Sequence, residues 1–287
     1  MARIALVTDS ASGIPAALRD QYKIAVVPIG FLFGDSLYVD NVSLSHDEFH
    51  ALLKSARRLP TTASPPPGEF LEAFREAYHQ GCKEILCIVT SRALTGTYSA
   101  AAHGAELARQ EMADIRISVM DSRCAAASLG FVVLAAAKAV ADSATLDQAA
   151  ARAEEVIPRI YMLGILDTLE YLAKGGRVPQ VAAWLSSLLQ VKPLFQFHDG
   201  QITRLGAVRT KARAVSRMLE LTRQRLRPDR PLHAAVFHTR APEEAAELAA
   251  RVQVEFQPVD LYTTEFSQAM SIHTGPGLLG LAFYNEP

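Results

Sequence analysis

The chain has 287 residues, with 29 basic and 30 acidic side chains giving a net charge of −1 and a pI near 6.7, and so lacks the basic excess that a nucleic-acid surface needs. Hydrophobic residues make up 49% and charged residues 21%, the balance of a soluble globular protein with room for one large domain or two ordinary ones. Cys82, Cys87 and Cys124 sit in apolar segments without a CxxC pair, which reads as buried, reduced thiols rather than a disulfide or a zinc site.

The first elements follow a strand–helix rhythm. Met1–Asp9 opens on an apolar run that Thr8 and Asp9 cut short; a secretory core needs roughly 7–15 apolar residues, so Ile4–Val7 reads as a first strand. Ile14–Gln21 has a short helical pattern, Ala25–Ile29 is an apolar strand, and Leu44–Leu53 is a helix whose Ser45 and Glu48 form a capping box. Pro60–Pro67, PTTASPPP, is excluded from helix and central strand because its prolines lack donors and fix the backbone. It reads as a stiff loop, exposed or lining a pocket. Ile85–Val89 is an apolar run that breaks into hydroxyl residues and Gly96 before an Ala-rich pattern, a strand entering a helix through a polar turn. Ile115–Met120 finishes in Asp121-Ser122, much as the first strand finishes in Asp9-Ser10. This alternation predicts an α/β architecture, a three-layer α/β/α domain on a parallel sheet, over residues 1–157. The longest apolar stretch, Gly130–Ala141, contains Lys138 and falls short of the ~20 residues needed to cross a bilayer, so a cytoplasmic protein is expected.

After the helix Leu146–Ile157 the pattern changes. Tyr161–Leu166 reads as a strand, Leu169–Ala173 as a helical turn ended by Gly175-Gly176, and Val181–Leu189 as an apolar helix carrying the single tryptophan, Trp184. Pro193–Phe197 and Ile202–Ala207 flank His198-Asp199-Gly200, a hairpin signal. Two helices (Arg213–Leu226, Glu243–Val254) and two strands (His233–His238, Leu278–Tyr284) follow. The mixture predicts a second, α+β domain with a mixed sheet over residues 158–287. No repeat or low-complexity tract interrupts it.

Chemistry is concentrated in few places. His46 and His50 lie at i and i+4, as zinc-binding pairs do, but Asp47 stands where such helices carry Glu and no third ligand is evident. The pair reads as a solvated first helical turn whose acids favour the helix dipole, and no metal is expected. Phosphate-loop and dinucleotide glycine signatures are absent, as is the GxSxG elbow of esterases. What remains are hydroxyl-rich turns: Thr61-Thr62, then Thr90, Ser91, Thr95 and Thr97 with Arg92, and SIHTGPGLLG (Ser271–Gly280), which holds His273 in a glycine-rich turn. At strand ends of a parallel sheet such turns are where ligands bind. A hydrolase using Ser91 or Thr95 with His273 as base lacks an orienting acid, and a small-phosphate site lacks lysines at these loops.

Six segments in order, VTDSASGIP (Val7–Pro15), VVPIGFLFGDSLYVD (Val26–Asp40), PTTASPPPGEF (Pro60–Phe70), TSRALTGTYSAA (Thr90–Ala101), LEYLAKGGRV (Leu169–Val178) and HTGPGLLG (His273–Gly280), resemble the DegV family of bacterial fatty-acid-binding proteins. The resemblance runs from Ile4 to Tyr284. It implies a carrier without catalytic residues or cofactor, in which a long-chain fatty acid such as palmitate lies in an apolar tunnel and its carboxylate is offered to a fatty acid kinase for acyl-phosphate formation. By motif the carboxylate partners become Thr62, Thr95 and His273, with Ser10, Ser91, Gly96 and Gly275 in supporting loops and Arg177 as the residue that docks the kinase. The remaining partner expectations are transient contact with a membrane and none with nucleic acid. Two departures stand out. Thr95-Gly96-Thr97 replaces the family's usual Ser-Gly-Thr, and Thr62-Ala63-Ser64-Pro65 replaces Thr-Ser-Gln-Pro.

Overall fold

A computed structural model describes residues 3–56, 58–176 and 191–287. The amino-terminal half runs β1 (Ile4–Asp9), α1 (Ala16–Tyr22), β2 (Ile24–Val27), β3 (Gly30–Phe33), β4 (Ser36–Val39), α2 (His46–Ser55), β5 (Thr61–Ala63), α3 (Pro67–His79), β6 (Glu84–Val89), α4 (Thr97–Glu111), β7 (Arg116–Asp121), α5 (Ala126–Ala141) and α6 (Leu146–Val156). The rest runs β8 (Tyr161–Ile165), α7 (Glu170–Gly175), β9 (Lys192–His198), β10 (Gln201–Val208), α8 (Lys211–Arg223), β11 (Leu232–His238), α9 (Pro242–Phe256), β12 (Asp260–Glu265), α10 (Gln268–Thr274) and β13 (Leu279–Asn285).

Strands β2-β1-β6-β7 form a parallel sheet, as the strand–helix alternation predicts. Helices α3 and α4 cover one face, with Phe70, Phe74, Ala101 and Ala105 against Ile85 and Cys87. Helix α5 covers the other, with Leu129, Val132 and Val133 in one cluster with Leu6, Leu86 and Ile88. The second sheet, β10-β9-β8-β13-β11-β12, is mixed: only β11 and β12 pair in parallel. It packs its inner face on the same helix through Met162, Ala235, Phe237 and Ala282. Its outer face carries α8 and α9, where Met218 and Leu248 meet Leu163, Val236 and Leu281. Neighbours Met162 and Leu163 thus serve opposite faces, as the two-residue period of a strand requires.

Helix α5 explains the longest apolar stretch of the sequence. Lying between two sheets, it is buried without a break from Ala126 to Ala137, the condition under which a helix is apolar all round. Among the described residues no helix is long and apolar enough to cross a membrane. The three cysteines are free and buried, and burial pushes the Cys124 thiol up to about 12.

Several elements depart from the sequence reading, among them strands β3 and β4 and helix α3, which it did not single out. The proline-rich run is not loop throughout: Thr61–Ala63 pairs with β3 as an edge of a small antiparallel sheet, β4-β3-β5. Pro60 and Pro65 bracket four residues that keep their donors, and an edge strand needs only that. The turn expected around His273 is instead the last turn of helix α10. Strand β12 was not expected; it lies at a sheet edge, and half-exposed DLYTTE lacks a clean apolar alternation. Elsewhere local chemistry acts as read. Ser45 Oγ accepts the Glu48 N–H at 3.2 Å while Glu48 accepts the Ser45 N–H at 2.8 Å, and Asp199 and Gly200 turn the β9–β10 hairpin with φ of 47° and 76°, the left-handed pair that a two-residue hairpin loop demands. The expected helix Val181–Leu189, with Trp184, and Arg177 lie outside the described residues.

Candidate ligand-binding site

Every strand of the parallel sheet delivers a residue to one cavity from just beyond its carboxyl end. Ala11 follows β1, Ile29 follows β2, Thr90, Leu94 and Thr95 follow β6, and Ala125 follows β7. This is where open parallel sheets bind ligands. The second sheet supplies the opposite wall: Met162 on β8, Phe195 and Phe197 on β9, and Ile202 on β10. Leu172 of α7 and Ala269, Met270, His273 and Thr274 of α10 complete it, with Thr62 and Ala63 of β5. The wall is apolar, and no lining residue among those described is acidic.

Its polar atoms form two groups. On one side the Thr62 hydroxyl lies 3.3 Å from His273 Nε2, joining β5 to α10. On the other, the Thr95 hydroxyl lies 2.9 Å from both the Ser64 and Thr97 hydroxyls. The departure at Ala63-Ser64 thereby gains a physical reading. Ala63 presents a methyl group to the cavity, and Ser64 returns a hydroxyl to the Thr95 group one residue later. Thr274, which sequence reasoning passed over, also lines the cavity; its hydroxyl oxygen is buried and has no hydrogen-bond partner among the described residues. The signal was weak, a threonine beside the more conspicuous His273.

Behind this layer stand groups that hold it. Asp9 is fully buried and accepts from the Thr90 N–H (2.7 Å), the Thr90 hydroxyl (2.9 Å) and the Ala11 N–H (3.0 Å). Burial raises its carboxyl to about 6 against the lowering effect of those bonds. Ser10 does not line the cavity: its hydroxyl donates to Asp40 at 2.5 Å and accepts the Ile29 N–H at 3.0 Å. Ser91 is also set back, its hydroxyl accepting the Ala93 N–H at 3.3 Å. Gly96 caps α4 where a Cβ would come within 3.3 Å of the Ser64 hydroxyl. Gly275 has φ +70°, and a Cβ there would sit 2.2 Å from the Tyr171 ring; one at Gly175 would sit 2.7 Å from His273 Nδ1. These two glycines let α7 and α10 press together, which fixes the imidazole.

The hydrolase alternative finds no support here. Ser91 is outside the cavity wall, the Thr95 hydroxyl is engaged by two other hydroxyls, and among the described residues no carboxylate lines the wall beside His273. A nucleophile needs a base within hydrogen-bond reach and an orienting group behind that base.

Comparison with known proteins agrees with this architecture. The family model described as "Uncharacterised protein, DegV family" matches residues 3–286. The chain belongs to the DegV family. A DegV domain-containing protein of Streptomyces coelicolor is 34% identical over 279 residues, covering 97% of each chain. Among solved structures of the DegV family, one from Thermus thermophilus, described by its fatty acid binding, superimposes with a TM-score of 0.91 at 26% identity, covering 99% of this chain and 100% of that one. DegV of Bacillus subtilis, described as a fatty acid binding protein, does so with a TM-score of 0.87 at 29% identity over all of both chains.

Proposed function

We propose that this chain is a carrier that holds a long-chain fatty acid in the cavity between its two sheets, with the carboxylate among Thr62, Thr95 and His273, and offers that carboxylate to a fatty acid kinase. The observation that carries the reading is the meeting of Thr62 and His273, 3.3 Å apart, on the wall of a largely apolar cavity. Each buried methylene contributes about 0.8 kcal/mol, so some fifteen supply about 12 kcal/mol gross, from which association takes back several kcal/mol. The tail therefore sets the affinity. The head must avoid an unpaired buried carboxylate, which would cost several kcal/mol; hydroxyls and an imidazole N–H meet that need without a catalytic group of the carrier's own. The phosphoryl chemistry belongs to the kinase in this reading, and contact with a membrane is a route by which the acid arrives. Arg177, the proposed docking residue, lies outside the described residues.

Native mass spectrometry of freshly purified protein tests the class of ligand. A co-purified acyl mass is expected; an apo mass together with turnover of an ester probe refutes the carrier. In a fluorescent fatty-acid displacement assay the double variant Thr62→Ala, His273→Ala is expected to bind at least about tenfold more weakly, because each lost donor to a charged group is worth about 1.5–3 kcal/mol. Unchanged affinity removes these residues from the head site.

A further inference from the structure

On the far side of α10 from the lipid cavity, the fold brings a third group to the histidine pair of α2. Glu265, the last residue of β12, comes close enough that one ring nitrogen each of His46 and His50 and a carboxylate oxygen of Glu265 all lie within 4.8 Å of one another. His46 Nδ1 is 3.7 Å from Glu265 Oε2. We propose that His46, His50 and Glu265 form a binding site for a zinc-class divalent transition-metal ion, with its fourth coordination position open to the neighbouring polar groove.

Two observations separate this cluster from a chance gathering of surface groups. The first is that His46 Nδ1 and His50 Nε2 are both buried and have no hydrogen-bond partner among the described residues. A buried ring nitrogen without a partner is costly, and a metal ion satisfies both at once. The second is that Glu265 is already oriented. Its Oε1 accepts the Arg240 backbone N–H at 3.1 Å, while the Arg240 guanidinium pairs with Asp47. Oε2 is thereby turned toward His46, with an outer hydrogen bond of the kind that positions metal-binding carboxylates.

The donor set also suits the ion. Two imidazoles and one carboxylate are a three-ligand zinc complement that leaves one position for water or another ligand. Bonds of about 2.0–2.1 Å in tetrahedral array place ligand atoms roughly 3.3 Å apart, so the 3.7 Å pair needs to close by only a few tenths of an ångström. His46 and Glu265 both line a groove shared with Ser10, Asp40 and Ser267, which gives the open position access to solutes. The site also ties α2 to the edge of the second sheet, beside the helix that bears His273.

Titrating the untagged full chain with Co²⁺, followed by its visible d–d bands, tests the proposal. One equivalent bound with the intensity of a tetrahedral site, and displaced by Zn²⁺, is the expected result. His50→Gln and Glu265→Gln should each weaken binding about tenfold or more, while His103→Gln, on the exposed face of α4, should leave it unchanged. Glu265→Gln keeps an acceptor for the Arg240 N–H, so its effect reports ligation rather than folding. Absence of tetrahedral bands at stoichiometric Co²⁺, or full affinity in both Gln variants at the cluster, overturns the site.

Discussion

The two sides of the cavity are built by different rules. The first sheet and β5 reach it with what lies beyond or beside their strands: Thr90 and Thr95 in a turn, and Thr62 on a three-residue edge. The second sheet reaches it with strand side chains themselves, Met162, Phe195, Phe197 and Ile202. A turn can aim hydroxyls and N–H groups at one point, whereas a pleated face offers area and shape. In the proposed function, recognition of the head belongs to the first construction and most of the affinity to the second. Changing one side should therefore leave a different signature from changing the other.

The sharpest way to break that division is to fill the apolar side. Ile202 lies half-buried on β10 at a sheet edge, so Ile202→Trp adds bulk without breaking the central core. If the indole takes the place of about four methylenes, binding of a long-chain acid should fall by about 3 kcal/mol, roughly a hundredfold. A short-chain acid should be hardly affected. Displacement assays across chain lengths check this, and a uniform loss at all lengths would place Ile202 outside the tail path.

A smaller effect sharpens the polar side. Asp9 supports Thr90 from beneath, and its folded-state carboxyl is raised by burial from 3.8 to about 6. A raised acid contributes stability that is fully present below the unfolded value near 3.8 and is lost as pH rises through about 6. Asp9→Asn removes that dependence while keeping an acceptor for the Thr90 N–H. Urea unfolding of both proteins should show the native chain losing about 1 kcal/mol relative to the variant between about pH 5 and about pH 7. A constant difference across that window means that Asp9 is ionised throughout.

The same contrast governs what the sequence revealed. The parallel sheet was legible because its strands are compact apolar runs, three of which end in a polar turn, and the β9–β10 hairpin because Asp199-Gly200 has the required turn chemistry. The polar side of the cavity was legible as composition: Thr62, Thr95 and His273 stood out as hydroxyl-rich or glycine-flanked. Their grouping came only with the family resemblance, since it depends on β5 pairing with β3 and on α10, elements of three and seven residues too short for a periodic signal. The apolar wall was only partly legible, for another reason: Tyr161–Leu166 suits a tunnel lining and an ordinary core equally well, and its Met162 does line the cavity. Phe195 and Phe197 look the same in sequence whether they face a ligand or a neighbouring side chain. Glu265, the third member of the proposed cluster, was not singled out because a residue on a distant strand has no spacing to read.

The smallest expected effect concerns Ser64. Ser64 is one of two hydroxyls within 2.9 Å of Thr95, the other being Thr97. Thr97 is fully buried at the start of α4, so its position does not depend on Ser64. Ser64→Ala therefore leaves Thr95 oriented by the fully buried one of its two supports. A neutral hydrogen bond contributes about 0.5–1.5 kcal/mol, and only the part not recovered by Thr97 or water should appear, less than about threefold in fatty-acid affinity. Thr97→Ala in the same assay should cost more, because it strips a buried partner that water cannot replace. If Ser64→Ala proves the more damaging of the two, then Ser64 touches the carboxylate directly, and the polar head site extends past the end of β5, two residues beyond Thr62.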